Sequence, residues 1–193
     1  MRLILGSGSP RRREILSYFS LDFEQINSCF DEDAVIFQGD PFAHASILAE
    51  GKAISLAALY PEAAILTADT IVYLNGKIYG KPKDEREAFQ TLQELEGKCH
   101  SVFTSIALWK DGSIWTGGEE TKVFFAPLSD TQIQRYLKAH HFADKAGGYA
   151  IQLAGSLIVK KIDGCFYNVM GLPIHTANEL FKKIGIDLWD HLQ

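Results

Sequence analysis

The stretch AAILTADTIVYL, residues 63–74, is a long apolar run interrupted by two threonines and a single carboxylate, Asp69. Its β-branched residues and the Asn75-Gly76 turn signal that closes it predict a buried strand, with a hairpin return through KIYG. A bare carboxylate inside such a strand is costly, so Asp69 must be paired, hydrogen-bonded or metal-bound. Strand parity puts Thr67 and Ile71 on its face and turns Ala68 and Thr70 the other way. Two readings are open. Asp69 is a general base or magnesium ligand at a cleft, or it is a structural carboxylate that caps a loop or bridges to an arginine.

The chain opens with a second unusual stretch, GSGSPRRR, residues 6–13. RLILGS predicts a short buried strand, Ser9 an N-cap and Pro10 the first helical residue, with Ile15, Leu16 and Phe19 on the inner stripe. Arg11, Arg12 and Arg13 then fall in the first turn, at the positive end of the helix dipole, where acidic residues are favoured. The stretch lacks the GxxxxGK[ST] of a P-loop and the third glycine of a dinucleotide fingerprint. What remains is a strand–turn–helix junction with free backbone N–H groups, the hydroxyls of Ser7 and Ser9, and guanidiniums suited to phosphate oxygens. The bland reading is a solvated basic helix start, with Arg13 in particular a surface or salt-bridging residue.

Along the rest of the chain, helices and hairpin-linked strands alternate irregularly. Residues 23–26 suggest a strand. Asp40-Pro41 opens a helix to about residue 59 that contains Lys52, and Asp84 with Glu87 opens another that stops at Gly97. Strands are expected over 101–109 and 120–127, and Ser129 with Gln132 starts a helix to about residue 140. SLIVKKI and FYNV are expected to pair as strands around Asp163-Gly164, and Pro173 opens a last helix ended by Gly185. The pattern predicts an α/β fold around a mixed central sheet, in one domain spanning 1–193.

Other local features are weaker. Lys81, held between Gly80 and Pro82, suits a cation aimed at a fixed point, although a solvated turn lysine is the commoner outcome. In DKAGGYAIQ, residues 144–152, paired glycines permit close approach of backbone to a ligand, and Tyr149 and Gln152 could read a base. YNVMGLP, residues 167–173, carries mainly structural weight. No GxSxG elbow, HExxH or His-x-His spacing is present, which argues against a serine hydrolase or a zinc site.

The chain has 193 residues, 47% hydrophobic and 22% charged, with a formal net charge of −5. That balance argues against a nucleic-acid polymer as partner and, beside a local basic cluster, for a small anionic ligand. Cys29, Cys99 and Cys165 lack CxxC spacing and are expected to be reduced thiols. No apolar run reaches membrane-spanning length and the opening lacks a signal core, so a soluble cytoplasmic protein without membrane contact is expected.

In order and spacing, SGSPRR (7–12), Glu32 in DED, GKA around Lys52, ADTIV (68–72), GKP (80–82), HSVFT (100–104), DKAGGYAIQ and NVMGLP (168–173) resemble the Maf family of nucleoside triphosphate pyrophosphatases. The resemblance spans almost the whole chain. It implies an elongated, two-lobed fold related to inosine triphosphate pyrophosphatases, with the active site in the cleft between the lobes. It also implies a cytoplasmic, often dimeric enzyme that needs a divalent metal, Mg²⁺ or Mn²⁺, and cleaves a nucleoside triphosphate to monophosphate and pyrophosphate, clearing aberrant nucleotides. Carried over, Asp69 is the proton acceptor and stands near the metal, which Glu32 helps to hold. Ser7, Arg11, Arg12, Lys52 and Lys81 contact the triphosphate. Arg11, Thr70 and Gln152 match the branch acting on dTTP and UTP. The chain departs from the family at Gly51, where Glu is frequent, and at Ser105 and Leu153, where Gly is usual; Leu153 bears on base preference. The alternative is a nucleotide-binding regulator of septum formation and cell division that senses without hydrolysing; it would need the phosphate clamp but neither Asp69 nor Glu32.

Overall fold

The computed structural model describes residues 1–192. The apolar run forms β3 (Ala64–Leu74), and among the described residues it lies in a seven-stranded sheet with β1 (Leu3–Gly6), β2 (Glu24–Gln25), β4 (Lys77–Tyr79), β5 (Cys99–Lys110), β6 (Ser113–Phe125) and β7 (Val159–Asp163). The order is β2-β1-β3-β5-β6-β7, with β4 on β3. β1 pairs in parallel with β2 and β3, and the remaining pairings are antiparallel, so the sheet is mixed as expected.

One edge of β3 is paired with β5 along its length, Ile65 to Tyr73. The other edge is shared. β1 covers Ala64 to Thr67 and β4 covers Val72 to Leu74. Between them, Ala68 to Ile71 face no strand on that side, and Asp69 lies inside this gap. The backbone of a central strand is thus open to a ligand in its middle rather than at its end.

The long strands β3, β5 and β6 serve two lobes. At one end, Leu66, Ala68, Ile106 and Leu108 pack with Ile15 and Leu16 of α1 (Pro10–Leu16) and Ala177, Leu180 and Phe181 of α6 (Ile174–Phe181). At the other, Val72, Val102 and Val123 pack with Ala88, Leu92 and Leu95 of α3 (Glu85–Leu95) and Ile133, Tyr136 and Leu137 of α4 (Asp130–Ala139). Helix α2 (Pro41–Ala57) presses small residues, Ala49 and Ala53, against Ala107, and Leu56 against Ile4 and Ile65. Alanines allow the close approach that lets Thr67 donate its hydroxyl to the Ala49 carbonyl at 2.6 Å. The helix starts form where the caps predict: Asp40 accepts from the N–H groups of Phe42 and Ala43, Asp84 from that of Glu87, and Ser129 with Gln132 makes a reciprocal capping box.

Two expectations are corrected. β6 begins at Ser113 rather than near residue 120, because Gly117 and Gly118 continue the ladder with β5 instead of breaking it. Residues expected as the strand FYNV form a short helix, α5 (Phe166–Met170), closed by Gly171 at φ +106°. Its residues are aromatic and β-branched, but Asn168 is fully buried and donates to the Val102 carbonyl at 3.0 Å and to Thr121 Oγ1 at 2.9 Å. Those tertiary bonds decide the local structure over propensity. Gly185, at φ +78°, ends the 3₁₀ turn Lys182–Ile184 that extends α6, as expected, and a further 3₁₀ turn, Leu188–His191, follows it.

Candidate active site

A cleft of about 970 Å³ opens over the gap in β3. Its wall is the turn Gly6–Pro10, the loop around Asp31–Asp33, Lys52 of α2, Gly80-Lys81 and the segment 143–152. The turn is pinned by Gln25, whose amide donates to the Ser7 carbonyl at 2.6 Å and to the Ser9 carbonyl at 3.2 Å. Ser9 occupies the N-cap of α1 but makes no side-chain cap bond, and Ser7 Oγ instead accepts from the Ser9 N–H at 3.2 Å.

The arginines that strained the dipole argument have different partners. Arg12 Nε donates to the Gly171 carbonyl at 2.7 Å, Nη1 to Ser7 Oγ at 3.1 Å and Nη2 to Thr70 Oγ1 at 3.0 Å. Thr70 and Thr104 hydroxyls are 2.9 Å apart, and Thr104 Oγ1 donates to the Asn168 carbonyl at 2.8 Å. This chain of bonds fixes the fork and leaves one N–H on each terminal nitrogen for a ligand. Burial pulls the Arg12 pKa down and Arg11 adds to this, against the opposing pull of Asp69 and Glu32; a guanidinium stays charged regardless. Arg11 reaches the opposite wall, where Nη1 meets Asp144 Oδ2 at 2.7 Å. Arg13 is exposed and, among the described residues, makes no ion pair, in keeping with its bland reading.

Asp69 is 8% exposed, and Lys52 reaches it from α2 with Nζ 2.6 Å from Oδ1. The same ammonium lies 2.9 Å from Glu32 Oε2. Asp69 is therefore paired, but to a lysine rather than to an arginine, and Oδ2 has no protein partner among the described residues. Lys81 is exposed at the cleft rim and makes no ion pair among the described residues. Gln152 lines the far end, where its Oε1 is buried and has no protein hydrogen-bond donor among the described residues.

The structure thus brings Ser7, Arg11, Arg12, Glu32, Lys52, Asp69, Thr70, Lys81 and Gln152 to one cleft. Reading the sequence did not single out Asp144, Thr104 or Gly171. Asp144 begins a segment already marked for its glycines, and Thr104 and Gly171 lie in HSVFT and NVMGLP, segments that carry the family resemblance without a site role for either residue. Nearby, His100 Nε2 and the Tyr149 hydroxyl are 2.7 Å apart, with Phe125 edge-on to both rings. Burial lowers the His100 pKa to about 4 and pushes that of Tyr149 upward.

Glu32 and Asp69 also meet the requirement for a hard divalent cation, which takes one or two carboxylates and completes its shell with phosphate oxygens and water. Among the described residues no group of three or more His, Cys, Asp and Glu is placed to hold a metal ion. Glu32 and Asp69, both paired with Lys52, are the carboxylates in the cleft that could contribute to such a shell.

Fold and site together define an α/β protein whose cleft assembles cations around one buried acid, at a break in the pairing of a central strand. The chain belongs to the Maf family: the model of the Maf-like protein matches residues 2–184. A Chlamydia caviae protein named dTTP/UTP pyrophosphatase is 46% identical over 192 residues, 99% of this chain and 98% of its own. A Chlamydia pneumoniae protein named nucleoside triphosphate pyrophosphatase is 41% identical over 191 residues, 98% and 97% of the two chains. Among solved structures, the Staphylococcus aureus Ham1 protein aligns with a TM-score of 0.46 at 14% identity, over 65% of this chain and 72% of its own. The nucleoside-triphosphatase, dITP/XTP pyrophosphatase, of Mycobacterium abscessus aligns with a TM-score of 0.45 at 12% identity, over 95% of both chains.

Proposed function

We propose that this protein hydrolyses nucleoside triphosphates, dTTP and UTP in particular, to the monophosphate and pyrophosphate. The observation that carries the reading is the buried Lys52–Asp69 pair at the β3 gap, in a cleft that Arg12 and Lys81 also line. The names of the Chlamydia relatives support the reaction and the pyrimidine preference.

Each residue has a task that follows from its chemistry. Arg12, aimed by Ser7, Thr70 and the Gly171 carbonyl, offers N–H groups to phosphate oxygens, and Lys81 adds a mobile positive charge. Lys52 keeps Asp69 Oδ1 in place, leaving Oδ2 to take a proton from the water that attacks the α-phosphorus. A bound divalent cation, held by Glu32 and Asp69, would supply charge neutralisation and a more acidic water. Gln152 Oε1, which lacks a donor, suits the N3–H of thymine or uracil; cytosine presents an acceptor there. Sensing without hydrolysis would leave the carboxylate pair without a task. We further place the enzyme in the cytoplasm as a homodimer, in keeping with its family. No helix among the described residues is long and apolar enough to cross a membrane.

Incubation with Mg²⁺ or Mn²⁺ and a panel of ordinary and modified triphosphates tests the reading. Monophosphate plus pyrophosphate, fastest from dTTP and UTP, is expected. Diphosphate plus phosphate would contradict the reaction, and purine preference would contradict the branch.

A further inference from the structure

Arg11 is the one arginine of the turn whose partner comes from the opposite lobe. Its Nη1 donates to Asp144 Oδ2 at 2.7 Å and its Nη2 to the Asp144 main-chain carbonyl at 3.2 Å, so two arms of the fork close on a single residue. The other carboxylate oxygen takes Lys145 Nζ at 2.5 Å, and Lys145 also donates to the His141 carbonyl at 2.6 Å. The side chains of Arg11 and Asp144 are 17% and 32% exposed, so this is a partly desolvated bridge rather than a surface pair. The loop behind it is tied in turn to the Lys81 segment, because the Gly147 N–H donates to the Gly80 carbonyl at 2.9 Å.

The bridge stands at a junction. Behind the main cleft lies a second cavity of about 250 Å³, and Arg11, Asp144, Lys145 and Gln152 line both. The two ends of the site therefore face different chemistry. Arg12, Lys52 and Lys81 present positive charge near Asp69, whereas Arg11 is held by both arms on Asp144, a carboxylate it shares with Lys145, and lines the same second cavity as Gln152, whose amide oxygen has no protein donor among the described residues. A guanidinium tethered by two arms to one residue is not free to follow phosphate oxygens. Held as a rigid planar donor, it keeps N–H groups for neutral acceptors such as base or sugar oxygens.

We propose, building on the nucleotide reading of the same cleft, that Asp144 is a positioning residue that sets nucleotide selectivity by aiming Arg11 at the nucleoside end of the substrate. Without the carboxylate, Arg11 regains its rotamers, loses its counter-charge, and turns towards the phosphates. Selectivity falls while the grip on the phosphate portion does not.

The test uses D144N and D144S, with R11A and the R11A/D144N double variant. Two readouts are taken: the kcat/KM ratio for dTTP over dGTP, and the binding of inorganic pyrophosphate and of the α,β-imido analogue of dTTP. The expected result is a loss of selectivity of roughly tenfold in D144N and D144S, the size of one lost specific contact. Pyrophosphate binding should be unchanged or tighter, and D144N should have no further effect once Arg11 is Ala. Parallel loss of pyrophosphate and analogue binding, independent multiplying effects of the two substitutions, or failure of both Asp144 variants to fold would each overturn the proposal. If the wild-type protein binds the analogue but turns over nothing, the proposed reaction fails. The pyrophosphate and analogue affinities of the four variants would still decide the role of Asp144.

Discussion

Lys52 Nζ stands 2.6 Å from Asp69 Oδ1, and the same ammonium lies 2.9 Å from Glu32 Oε2. One cation from α2 therefore joins a carboxylate from the middle of a central strand to one from a loop. Both Lys52 and Asp69 side chains are about nine-tenths buried, so each makes the other tolerable. Replacing Lys52 by Met leaves two carboxylates facing each other without their counter-charge. The variant should lose about 3 kcal/mol of stability, read by urea unfolding, the usual cost of breaking a buried pair from one side. Its turnover should fall at least about 100-fold, since Asp69 is no longer held.

Glu32 is the more exposed of the two carboxylates, with its side chain at 45%, so its loss should be felt in metal use rather than in the fold. E32Q is expected to unfold at the wild-type urea concentration. The Mg²⁺ concentration for half-maximal activity should rise roughly tenfold or more, the effect of weakening one ligand of a shared shell. Unaltered Mg²⁺ dependence would remove Glu32 from that shell. Chelation of the divalent cation should abolish turnover and be reversed by adding it back.

The aim of Arg12 depends on groups that do not themselves face the cleft. Thr104 is fully buried between Thr70 and the Asn168 carbonyl, so Thr104→Val keeps the shape and deletes the hydroxyl that links them. The loss should cost about 1 kcal/mol of stability, because the Thr70 hydroxyl loses a partner and the Asn168 carbonyl keeps only the Gly171 N–H. KM for the triphosphate should rise more than kcat falls. At Gly171, a Cβ would stand 3.1 Å from Thr70 Oγ1 and 3.2 Å from Arg12 Nε on a backbone at φ +106°. Gly171→Ala should show the same KM effect with a further loss of stability, of order 1–3 kcal/mol.

His100 makes the fold acid-sensitive. Burial holds its pKa near 4 in the folded protein, below the ordinary value of 6.5, so the unfolded chain binds the extra proton first as pH falls. Stability is full above pH about 6.5 and is lost down through about pH 4, by up to about 3 kcal/mol. Unfolding of wild type and His100→Gln, compared at pH 7.5 and 4.5, should show the larger acid loss in wild type. Equal losses would mean that the folded protein does not hold the His100 pKa below its unfolded value.

The readable part of this protein lay in residues that violate a local rule. Asp69 stood out because it is the only charge in an apolar strand, and Arg11 to Arg13 because they oppose a helix dipole. The helix caps at Asp40, Asp84 and Ser129 were legible because they follow a rule: a short polar side chain precedes a helical pattern. The gap in β3 was not, because it depends on where β1 stops and β4 starts along a partner strand. FYNV was misread because the bonds of Asn168 to Val102 and Thr121 join residues 47 and 66 positions apart. The strand over 113–125 was expected to start only at residue 120, whereas at Gly118 a Cβ would stand 3.0 Å from Ser105 Cα. There the glycine permits close strand approach instead of ending a strand.

In the proposed mechanism Asp69 takes the proton from the attacking water. The direct measurement is pyrophosphate release from dTTP by Asp69→Asn, beside the wild type, with unfolding midpoints recorded for both. The variant should remain folded at the assay temperature, should still bind the α,β-imido analogue, and should release pyrophosphate at least about 1,000-fold more slowly. A folded Asp69→Asn that keeps a substantial fraction of the wild-type rate would contradict the mechanism.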